Sequence, residues 1–124
     1  MNLGRVGREW YLAHHGEPDW PIRVSRFYPS HESWKGPAWW FEFPPSRVAN
    51  PRGWIILLCQ RREDPKSFHC LRVPTGLFPA CRPHLGWRKD KKIFSLFLCA
   101  EPENLFKEVR GPGGIQFEHF RCDE

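Results

Sequence analysis

Nothing in this 124-residue chain is long and apolar enough to span a bilayer as a helix. The longest unbroken apolar run is Trp54 to Cys59, against the roughly 18 residues a spanning helix needs. No serine sits in a Gly-x-Ser-x-Gly elbow, which removes the usual α/β-hydrolase nucleophile. Glycines 111, 113 and 114 follow a helix-patterned stretch instead of opening one, so they cannot seat phosphate on a helix N-terminus as a P-loop or dinucleotide site does. Neither His14-His15 nor His31-Glu32 has the His, Asn, His spacing of a ββα-metal nuclease. Internal repeats and low-complexity segments are also missing. The five cysteines are an odd number, and Met1 to Gly16 is charged where a secretory leader would be apolar. The expectation is a reducing, cytoplasmic compartment with no disulfide framework and no membrane partner.

What is present is aromatic and turn-rich: 15% aromatic residues, seven of them tryptophan, with 13 prolines and 10 glycines. A length of 124 residues predicts one domain, residues 1–124, able to bury roughly two thirds of its unfolded surface. Tryptophan buries a large ring but its N–H needs a partner, so some of the seven belong at the rim of the core or on a binding face.

Leu3, Val6, Trp10 and Ala13 form one stripe at helical spacing, with Gly16 and Pro18 as stops. Ile22 to Ser25 alternates, and the extended run continues to Tyr28. Three further apolar runs, Trp39 to Phe43, Trp54 to Cys59 and Phe68 to Val73, are separated by short turn-rich loops and read as an antiparallel meander. Trp54 to Cys59 lacks alternation, which predicts a central strand covered on both faces. Thr75 is a possible N-cap for a short helix, and Ile93 to Cys99 reads as the fifth strand. Pro102, Leu105, Phe106 and Val109 share a helical face, and Ile115 to Phe120 reads as a last strand or extended tail. The predicted fold is therefore α+β: a mostly antiparallel sheet of five or six strands, a helix at the N-terminus and a helix after the fifth strand.

The charge is +5 and uneven: residues 1–62 carry +4, and residues 82–92 alone carry +4 through Arg82, Arg88, Lys89, Lys91 and Lys92 against Asp90. Arginine outnumbers lysine thirteen to six. Arginine beside tryptophan both neutralises phosphate and stacks on bases, and the same pair is common at protein interfaces. Arg23 and Arg26 on the first strand, Trp34 in the polar loop Pro29 to Pro37, and the five cations of the basic run are the candidate binding residues.

Two metal chemistries are weighed on spacing. Cys59, Cys70, Cys81 and His84, with His69 as alternate, are ligand types zinc prefers, and Cys81-Arg82-Pro83-His84 has a gap that lets both side chains bend to one ion. The other reading of Cys59 and Cys70 is buried thiols on neighbouring strands. Metal-dependent phosphodiester cleavage needs an acid followed by acid-x-Lys on an adjoining strand. Pro18-Asp19 supplies the first, but Arg23-Val24-Ser25-Arg26 stands where the second is due, and Asp64-Pro65-Lys66 and Asp90-Lys91-Lys92 fall in loops. No catalytic residue, resident metal or cofactor is assigned.

The succession Trp40-Phe41-Glu42-Phe43-Pro44, Ile55-Ile56-Leu57-Leu58, Phe68 to Pro74 and Leu77-Phe78 resembles the restriction-endonuclease-like PD-(D/E)XK superfamily over about three quarters of the chain, without its acid-x-Lys. That resemblance implies shared fold or ancestry and, if an enzyme at all, a divergent metal-dependent nuclease. The expected function is non-catalytic binding of DNA or RNA through the basic face. The competing expectation is a small adaptor, or a mobile-element-encoded inhibitor, that docks on a host nucleic-acid-handling protein complex.

Overall fold

In the computed structural model, which describes residues 2–30 and 36–122, the chain is an α+β domain. Its regular elements are helix α1 (Leu3–His15), strands β1 (Ile22–Ser25), β2 (Phe27–Tyr28), β3 (Ala38–Phe43), β4 (Trp54–Gln60) and β5 (Phe68–Pro74), helix α2 (Leu77–Cys81), and strands β6 (Trp87–Arg88) and β7 (Ile93–Cys99). The N-terminal helix forms where its apolar stripe predicts. Asn2 caps it, the side chain accepting from the Arg5 N–H at 3.0 Å, and Gly16 closes it at a φ of +83°, donating to the Leu12 carbonyl at 3.0 Å.

Seven strands make two mostly antiparallel sheets, ordered β1-β4-β5 and β2-β3-β7-β6, where five or six strands in one sheet were expected. β4 is central and pairs antiparallel with β5, but it lies parallel to β1, with Ile22 opposite Ile56. The expected meander holds only between β4 and β5. β3 pairs with β7, and the 3-10 turn Pro45–Val48 carries the chain from one sheet to the other. Loop length cannot separate a hairpin from a change of sheet, and the two prolines at 44 and 45 favour the change because proline cannot donate to a ladder.

The layers are helix, sheet, sheet. Ile56 and Leu58 point to α1, where Leu3, Val6, Trp10 and Tyr11 cover them. Ile55, Leu57 and Cys59 point to the second sheet, against Trp39, Phe41, Phe43, Leu96 and Leu98. Burial on both faces explains the unbroken apolar run. Each fully buried aliphatic side chain there contributes about 1.5–3 kcal/mol.

An α-helix follows the fifth strand in chain order, α2, although Thr75 is not its cap. Gly76 precedes the helix, and the Thr75 hydroxyl donates to the Asn50 carbonyl. The stretch from Pro102 to Val109, expected as a longer helix, makes one 3-10 turn at Pro102–Asn104 and then runs extended, bridging Leu98 with Glu108 and Lys107 with Gln116. Phe106 has a φ of +64°, which ends helical geometry. Among the described residues no helix is long and apolar enough to cross a membrane.

Candidate nucleic-acid interface

Gly7 allows α1 to lie close on β1: a Cβ at that position would stand 2.8 Å from Val24 Cγ2. The close approach brings Arg8 of the helix beside β1. Ile22 and Val24 pack with the helix-side core, and Arg23 between them is half-buried at the edge of its sheet. The turn Pro45–Val48 adds Arg47. These three arginines line one groove of about 300 Å³, walled by Pro18, Trp20 and Pro21. Burial, and then the neighbouring charges of Arg47 and Arg8, hold the Arg23 guanidinium below its usual value. No carboxylate among the described residues pairs with any of the three. Glu42 lines the adjoining depression with Arg8 and Arg23, but it accepts from the Ser95 hydroxyl at 2.8 Å and is ion-paired with Arg88 at 3.4 Å.

A second groove, of about 510 Å³, is lined by Pro45, Arg82, Trp87, Lys89 and Lys92. The Arg82 guanidinium stacks 4.1 Å from the Trp87 ring centroid, and Trp87 itself stands edge-on to Phe94 at 5.0 Å. The lysines sit on the turn joining β6 to β7, where Arg88 pairs with Ile93 and Lys92 takes a φ of +54°. Buried Glu108 anchors the base of that hairpin, its carboxylate accepting from the backbone N–H groups of Gly86, Phe97, Arg110 and Gly111 at 2.8 to 3.0 Å. Burial pushes the Glu108 carboxyl above its ordinary range, against the pull of the four N–H groups. The turn Pro45–Val48 abuts both grooves, giving Arg47 to the first and Pro45 to the second. A depression lined by Pro45, Val48, Ala49 and Arg82 lies on the second side of the same turn.

The expected binding residues are thus partly gathered. Arg82, Lys89 and Lys92 meet in one groove, and Arg23 lies in the other. Arg88 does not join them: it pairs with Asp90 at 2.8 Å and Glu42 at 3.4 Å, because alternation along β6 turns it away from Trp87. Asp90 in turn holds the Arg88 guanidinium above its usual value, and Arg88 holds the Asp90 carboxyl below its own. Lys91 is exposed in the β6–β7 turn and Arg26 at the kink between β1 and β2; neither lines these two grooves. Trp34 lies outside the described residues. Sequence pattern does not single out Arg8, Arg47, Trp20 or Trp87. Arg8 carries the signal of a cation on the polar side of a patterned helix; Arg47 carries none in its Pro-rich surroundings.

The pleat separates two of the cysteines weighed for zinc, and both are buried thiols on neighbouring strands. Cys59 belongs to the core between the sheets and Cys70 to the core under α1, so the two thiols occupy opposite faces of one sheet. Cys81 ends α2, and His84 lies in the following turn. No group of three or more His, Cys, Asp or Glu able to hold a metal occurs among the described residues. The three acids considered for phosphodiester cleavage also lie apart. Asp19 pairs with Arg72 of β5 at 3.4 Å, Asp64 caps the β4–β5 turn by accepting from the Lys66 N–H, and Asp90 pairs with Arg88. Comparison with known proteins finds no matching family model, no matching curated protein and no matching solved structure.

Proposed function

We propose that the domain binds nucleic acid through the two basic grooves flanking Pro45–Val48, as a binding module and not as an enzyme. The observation that carries this reading is six cations in two grooves that share one turn, Arg8, Arg23 and Arg47 on one side and Arg82, Lys89 and Lys92 on the other. Phosphates spaced along a strand suit such a row of cations, and Trp20 and Trp87 offer ring surface beside it. Asp19, Asp64 and Asp90, the acids weighed for cleavage, are each engaged in separate places, with Arg72, the Lys66 N–H and Arg88, which favours binding over cleavage.

The test is fluorescence anisotropy with single- and double-stranded oligonucleotides at several salt concentrations. Binding should fall steeply with salt. Removing Lys89 and Lys92 together should make the slope of log affinity against log salt shallower by roughly 0.7–0.9 for each phosphate no longer neutralised, with thermal stability nearly unchanged. Failure of the wild-type protein to bind any oligonucleotide at low salt would overturn the reading and turn the face toward an acidic protein surface.

A further inference from the structure

The groove of Arg8, Arg23 and Arg47 differs in kind from its neighbour. Its cations come from three elements, a helix, a strand and a turn, and all three reach the same groove of about 300 Å³. The neighbouring charges of Arg47 and Arg8 act against that of Arg23, and among the described residues no carboxylate is ion-paired with any of the three, Glu42 of the adjoining depression being paired with Arg88. A guanidinium presents a planar fork of N–H donors that matches two oxygens of a phosphate. Along a nucleic-acid backbone each phosphodiester offers one charge and two free oxygens. A phosphomonoester offers nearly two charges and three free oxygens, the better complement to three convergent forks. The groove also has room beyond the phosphate, and Trp20 walls it, seated so close to Gly53 that a Cβ there would come within 3.1 Å of the indole edge. A ring held in that way is a platform for a base.

We propose that this groove takes a phosphomonoester attached to a nucleoside, with the phosphate on Arg8, Arg23 and Arg47 and the base against Trp20. The proposal deepens the nucleic-acid reading by giving the domain a preference for a phosphorylated strand end, although free nucleotide presents the same chemistry. The two sources separate in the experiment.

An oligonucleotide bearing a 5′-phosphate, the same oligonucleotide with a 5′-hydroxyl, adenosine monophosphate and adenosine are titrated into the full chain by calorimetry. The phosphorylated oligonucleotide should bind about tenfold or more tightly than the unphosphorylated one, the effect of one set of charge-assisted hydrogen bonds. Adenosine monophosphate binding with the affinity of the phosphorylated strand would assign the groove to free nucleotide; much weaker binding would assign it to strand ends. The double variant Arg8→Gln, Arg47→Gln changes two exposed side chains and should abolish the phosphate preference, whereas Lys89→Ala with Lys92→Ala should lower all oligonucleotide affinities and keep it. Equal affinities for the phosphorylated and unphosphorylated forms of both probes, or a preference that survives in the Arg8, Arg47 variant, would overturn the inference while leaving the two-groove reading intact. Discrimination between adenosine monophosphate and adenosine with no oligonucleotide binding would do the reverse.

Discussion

At the scale of single residues, Arg23 sits in an unfavourable electrostatic setting. Its guanidinium is partly desolvated and faces two more positive charges, a combination that an isolated protein gains nothing by keeping. Relieving the repulsion should therefore stabilise the free protein. We expect Arg47→Ala to raise the unfolding free energy by about 0.2–0.5 kcal/mol at low ionic strength, the size of a like-charge penalty on a protein surface. Thermal melts at low and at high salt, with pH held constant, check this, since screening should erase the gain. A loss of stability in Arg47→Ala would mean that the side chain is anchored by something other than its charge. Of the three arginines only Arg23 was singled out in the sequence, as the polar member of the alternating first strand Ile22 to Ser25. The value of Arg8 and Arg47 depends on α1 and the turn Pro45–Val48 being folded onto the edge of one sheet, which no local pattern records.

At the scale of elements, the hairpin of β6 and β7 owes its position to a side chain from elsewhere in the chain. Glu108 ties Gly86, Phe97, Arg110 and Gly111 together from within a buried site. Its surroundings leave no slack: a Cβ on Gly86 would meet the Ser95 carbonyl, and one on Gly111 would meet the backbone of His84 and Leu85. Glu108→Ala would leave four N–H groups without this acceptor, so it should cost about 3 kcal/mol or more of unfolding free energy, measured by urea denaturation. Glu108→Gln, which keeps one carbonyl oxygen, should fall between it and wild type. A change below about 0.5 kcal/mol in the alanine variant would show that water replaces the carboxylate. The sequence pattern misled here in an instructive way. Leu105, Phe106 and Val109 do have helical spacing, but the N–H groups of Arg110 and Gly111 are claimed by the Glu108 side chain, and Phe106 adopts a left-handed backbone to stack on Trp39 at 5.3 Å. Tertiary packing overrides propensity in this segment, whereas at α1 the apolar stripe, the Asn2 cap and the Gly16 stop all agree with the packing.

At the scale of the whole molecule, the α+β class and the two-sided burial of β4 follow from patterns within short windows, which is why both were legible. The division into two sheets was not, because it is decided where Pro44 and Pro45 send the chain, and because β1 finds β4 as a parallel partner across intervening β2 and β3. That parallel pairing also has a bearing on the order in which the molecule assembles. The β4–β5 hairpin closes a short loop and can form early, while β1 must wait until the distant β4 exists as a template. Being an edge strand, β1 can also come away while β4 and β5 stay paired. The amides of Arg23 and of Ile56, which donates to the Pro21 carbonyl, should accordingly exchange with solvent through a smaller opening than those of Ile55 and Leu57, which face β5; native-state hydrogen exchange resolves the difference, and equal protection would mean that the strand opens only with the whole domain. Since Arg23 rides on that strand, the arginine groove would be the last part of the protein to be built and the first to come undone, so that an anion seated in it would act as a clasp on the unfinished edge of the fold.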